Sequence, residues 1–94
     1  MAKKHIAGRK AGKVMLYALS TCVWCKMTKR LLNELGVEYE YIDVDFLKGD
    51  ERAKIEKELK DWNPRRSFPT IVINNEKVIK NYDEEEIREI LGYE

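Results

Sequence analysis

The chain has little of what would staple it, anchor it in a bilayer or cage a metal. Its 94 residues include two cysteines, two prolines and a single histidine. The longest unbroken apolar run is six residues, 14–19 (VMLYAL), far short of the ~20 that span a membrane, and no apolar core of an export signal stands near the N-terminus. A cytoplasmic protein with no membrane partner is the expectation, and in that compartment structural disulfides are rare. The length leaves room for one small domain with one core, and excludes a barrel enzyme of about 250 residues. Hydrophobic residues make up 44% and charged residues 37%, enough apolar material for a packed interior.

One stretch has no acid. Residues 1–13 (MAKKHIAGRKAGK) hold five of the 18 basic residues and none of the 17 acidic ones. Residues 14–94 are left with 13 basic against 17 acidic, a balance of −4. An acidic body argues against nucleic acid as its partner. With two glycines and no periodicity, 1–13 reads as a basic flexible N-terminal arm, and 14–94 as the folded domain.

No repeat or low-complexity segment interrupts that domain. The run 14–19 has the length and continuity of a strand buried on both faces. Ser20-Thr21 breaks it and offers an N-cap. Over residues 23–35, Trp24, Thr28, Leu31, Leu32 and Leu35 recur at helical spacing, and Gly36 supplies a left-handed stop. Residues 38–44 (EYEYIDV) favour a second strand. Strand, helix and strand make a unit whose strands run parallel. Residues 50–62 form a second helix with Ile55, Leu59 and Trp62 on its apolar face, and residues 63–67 a loop. Residues 70–73 and 77–79 are strands joined through Asn74-Asn75-Glu76, a hairpin because asparagine tolerates positive φ. Asp83 caps a last helix with glutamate at N3, and Ile87, Ile90 and Leu91 line it. The order is β-α-β-α-β-β-α, an α/β domain with a four-stranded mixed sheet and helices on both faces.

The chemistry-bearing element is Cys22-Val23-Trp24-Cys25, where the first strand ends and the first helix begins. The free N–H groups and positive end of a helix favour an anion there. Thiol pKa values in such settings fall from about 8.5 to between roughly 3.5 and 7.5. Cys22, at the helix edge, is expected to be exposed and nucleophilic. Cys25 lies one turn in, and Cβ atoms three residues apart on a helix are about 5–6 Å from each other, so a small adjustment closes a disulfide. A metal would need four ligands. Two thiols and His5 do not supply them, so no metal site is expected, and a cluster would need a second chain and outside thiols.

From Val14 to Leu91 the layout resembles glutaredoxin and its relatives in the thioredoxin superfamily. The resemblance rests on the cysteine pair with Ser20-Thr21 before it and Lys26-Met27-Thr28-Lys29-Arg30-Leu31-Leu32 after it, on Phe68-Pro69, on Arg66 three before that proline, and on the Asn74-Asn75 turn and last helix. It implies a thioredoxin-like fold with strand order 2-1-3-4, and a cis bond at Pro69. It also implies a ligand groove walled by Trp24, Arg66, Phe68 and Tyr82, with Asp83 near a ligand's amine end. The implied activity is thiol–disulfide exchange: Cys22 attacks a protein or small disulfide, Cys25 resolves the mixed disulfide, and a monomer is recharged by a thiol such as glutathione or by a flavin-dependent reductase, with no bound cofactor. The alternative is a dimeric module that binds or carries an iron–sulfur cluster. Two departures bear on the reductant. Leu19 stands where many members have a lysine, and Asn81-Tyr82 where many have a glycine pair, a pattern similar to the glutaredoxin-like hydrogen donors of ribonucleotide reductase.

Overall fold

A computed structural model describes residues 3–92; the first two residues of the 1–13 segment and the last two of the 14–94 domain lie outside the described residues. Five strands form one sheet: β1 (Lys4–Ile6), β2 (Val14–Ala18), β3 (Tyr39–Asp43), β4 (Thr70–Ile73) and β5 (Lys77–Lys80), in the order β1-β3-β2-β4-β5. The helices among the described residues are α1 (Val23–Leu35), α2 (Gly49–Trp62) and α3 (Glu84–Leu91), with a 3₁₀ turn at Val44–Phe46.

Every residue of β2 is buried, which is why its sequence is apolar without alternation. Its alternate side chains feed two cores. Val14, Leu16 and Ala18 pack with Leu31 and Leu32 of α1, Ile71 and Ile73 of β4, and Ile87 and Leu91 of α3. Met15 and Tyr17 pack with Ile42, Val44, Leu47, Val72 and Leu59 of α2. Both faces of the sheet are thus covered, as a parallel β2–β3 pair requires. The Tyr17 hydroxyl donates to Glu58 at 2.8 Å, which satisfies the polar end of a buried ring.

The local signals hold where they rest on short-range chemistry. Gly36 ends α1 at φ 70°. Asn74 and Asn75 both adopt φ 55°, and the Glu76 N–H donates to the Ile73 carbonyl at 3.1 Å, closing the hairpin turn that positive φ permits. The Asp83 carboxylate accepts the Glu86 N–H at 3.0 Å and so caps α3. Two expectations need correction at α1. Its N-cap is Cys22, not Ser20 or Thr21, and its buried stripe begins at Cys25, because Trp24 is 58% exposed.

The sheet also has five strands, not four. The expected 2-1-3-4 order is present as β3-β2-β4-β5, and β1 is added at the β3 edge, antiparallel, pairing Lys4 with Tyr41 and Ile6 with Tyr39. The extra strand comes from the segment read as a flexible arm. Pairing, not periodicity, holds it. His5 meets Glu38 at 2.7 Å, the Arg9 N–H donates to the Gly36 carbonyl and its guanidinium to the Leu91 carbonyl. A Cβ at Gly8 would stand 2.6 Å from the Gly36 carbonyl oxygen, so only glycine lets the chain pass so close.

Candidate active site

The cysteine pair sits at the carboxyl end of β2, where a buried strand delivers the chain to the start of α1. Its loop is fastened to the 3₁₀ turn. The Ser20 N–H donates to Asp45 at 2.8 Å and its hydroxyl donates to the same carboxylate. Those two bonds hold the Asp45 carboxyl below its usual range. The Cys22 N–H donates to the Leu19 carbonyl at 3.2 Å.

Cys22 then caps the helix with its sulfur. The Cys25 N–H donates to Cys22 Sγ at 3.1 Å, and no acidic residue occupies the first turn of α1. Amide donor and helix terminus both favour negative charge on that sulfur. The two thiols differ sharply in surroundings. Cys22 is half-buried, whereas Cys25 is fully buried in the core formed with α3. Burial, reinforced by the neighbouring Cys22 sulfur, pushes the Cys25 thiol up to about 12; the Leu19 N–H and the Lys29 charge oppose that rise. Cys25 is therefore a protonated thiol at neutral pH. Both cysteines are free.

Beside the pair lies a groove of about 210 Å³ lined by Trp24, Phe68, Asn81 and Tyr82. Trp24 and Tyr82 stack with ring centroids 5.6 Å apart and planes 23° apart. Phe68–Pro69 is cis, and Pro69 is buried. Of the residues the sequence suggested, the groove thus gathers Trp24, Phe68 and Tyr82. Arg66 stands exposed in the loop before β4, at φ 51°, and does not line the groove. The Asp83 carboxylate is engaged at the α3 N-terminus. Asn81, noted in the sequence only as half of the pair that replaces two glycines and not among the expected groove residues, lines the groove as well. It adopts φ 68°, and its N–H donates to the Pro69 carbonyl at 2.8 Å. Asparagine tolerates the left-handed region, and that tolerance was the signal available in the sequence. Among the described residues no group of three or more His, Cys, Asp or Glu side chains is placed to hold a metal ion, and no helix is long and apolar enough to cross a membrane.

The glutaredoxin family model matches residues 14–79. The chain belongs to the glutaredoxin family. A glutaredoxin from Methanosarcina mazei Go1 is 49% identical, with a TM-score of 0.89 over 99% of this chain and 90% of that one. Methanoredoxin from Methanosarcina acetivorans is also 49% identical, with a TM-score of 0.88 over 92% of this chain and 90% of that one. A glutaredoxin from Vernicia fordii is 24% identical over 68 residues, 72% of this chain. The chain spans 64% of that relative's length. The thioredoxin-like α/β architecture is shared, and within it two cysteines lie together at a helix N-terminus.

Proposed function

We propose that this chain is a thiol–disulfide oxidoreductase. One observation carries the reading: the Cys22 sulfur receives the N–H of Cys25 at a helix N-terminus free of acid, while Cys25 is buried and protonated. That asymmetry supports a division of roles. Cys22 as thiolate attacks a substrate disulfide RS–SR′, forming Cys22–S–S–R′ and expelling RS⁻, which takes up a proton. The Cys25 thiol then attacks the Cys22 sulfur. The Cys22–Cys25 bond forms, the bond to R′S breaks, and the proton lost by Cys25 ends on R′S. The rate of each exchange follows thiolate fraction and access.

The substrates are protein or low-molecular-weight disulfides. Val23, 67% exposed, and Trp24 flank Cys22, a contact surface that suits an approaching protein. A small thiol such as glutathione, or a flavin-dependent reductase, restores the dithiol. Asn81 and Tyr82 line the groove where other members have a glycine pair, and the Tyr82 ring stacks on Trp24 there, so glutathione makes a tighter fit here than in members with that pair. The domain works as a cytoplasmic monomer without a bound cofactor.

Two variants test the reading against a model protein disulfide. Cys22→Ser abolishes reduction. Cys25→Ser keeps the first attack and accumulates a mixed disulfide, seen as an adduct in intact-mass spectrometry. Full activity in Cys22→Ser overturns the reading.

A further inference from the structure

Cys25 poses a problem for the second exchange. The sulfur that must attack is fully buried and held protonated. Two titratable groups act on it, Cys22 and Lys29. Cys22 is bonded to the substrate at that moment and carries no charge. Lys29 remains. It lies four residues after Cys25, on the same face of α1, and it is not an ordinary surface lysine. Its ammonium donates to Asp43 Oδ1 at 3.1 Å, with the two side chains only 22% and 14% exposed. The same nitrogen stands 4.1 Å from the centroid of the Tyr41 ring. Asp43 ends β3 and pairs with Ala18 at the end of β2, so the strand register brings this cluster to the edge from which the cysteine loop departs. Lysine is long and rich in rotamers; a carboxylate and a ring face together fix where its charge sits.

We infer that Lys29, clamped by Asp43 and Tyr41, is a positioning residue for the resolving step: its fixed ammonium favours negative charge on Cys25 as that thiol gives up its proton to attack the Cys22 mixed disulfide. The inference rests on the dithiol mechanism above and names a residue on which its second half depends. Asp43 contributes by holding the ammonium in place.

A chromogenic aromatic disulfide separates the two halves. Cys22 attacks it and releases one coloured thiolate; Cys25 then releases the second. In stopped flow, Lys29→Met slows the second release about three- to fourfold at neutral pH and moves its pH profile about one unit upward, since one pKa unit cuts the thiolate fraction about tenfold while the more basic thiolate attacks about threefold faster. The first release changes less than twofold. Lys29→Arg, which keeps the charge, restores the second release, and Asp43→Asn, which frees the ammonium, gives an intermediate rate. A second release in Lys29→Met with the wild-type rate and pH profile overturns the inference. So does an equal slowing in Lys29→Met and Lys29→Arg, which marks a packing effect. Loss of the first release in the wild-type protein is a different result, and it removes the dithiol mechanism itself.

Discussion

The N-termini of α1 and α3 meet the same physical demand in opposite ways. Each presents unpaired N–H groups and the positive end of a helix dipole. α3 satisfies them with carboxylates: Asp83 accepts the Glu86 N–H, and Glu84, Glu85 and Glu86 fill the first turn. α1 has no acid there and leaves the cap to the sulfur of Cys22. A thiol is a poor acceptor beside a carboxylate, so α1 gives up stability at its start. In return, the field that α3 spends on carboxylates acts on a nucleophile in α1. One end is built for holding and the other for reacting.

Making the two ends alike produces the largest effect. Cys22→Asp gives α1 a carboxylate cap, raises stability to urea by up to about 1 kcal/mol, and takes disulfide exchange down to background. Measurable exchange in that variant would mean that the reacting sulfur is not Cys22. The smaller effect is on stability alone. Asp83→Ala removes a carboxylate cap and costs about 1 kcal/mol in urea unfolding, while Cys22→Ala costs less than half as much, because sulfur accepts weakly. Equal losses would erase the comparison and leave Cys22 as a structural cap.

How much of this could be read from the sequence follows the range of the forces involved. The bounds of α1, the Gly36 stop and the Asn74-Asn75 hairpin depend on neighbours a few residues away, and all three were legible. β1 was not. Three residues cannot display a period, and what holds them is pairing with β3 together with Arg9 reaching the Leu91 carbonyl across 82 positions. The site divides in the same way. The cysteine pair announces itself by spacing and by its place after a buried strand. The groove joins Trp24 of α1 to Tyr82 just before α3, and only the fold sets that distance. The clamp on Lys29 was equally hidden, since an alternating strand gives no sign that Asp43 and Tyr41 will share one lysine.

The most direct test of the central claim, that Cys22 is the reacting thiol and its buried neighbour keeps its proton, is alkylation of the reduced, folded protein by iodoacetamide as pH is raised. Fragment-ion mass spectrometry assigns the label to each cysteine. Burial raises the Cys25 thiol from 9.0 to about 12, so its thiolate, and with it any label, appears only as pH climbs toward that value. The account predicts that Cys22 is labelled first at every pH and that Cys25 stays unlabelled through the neutral range. Labelling of Cys25 as fast as Cys22 near neutrality would contradict it.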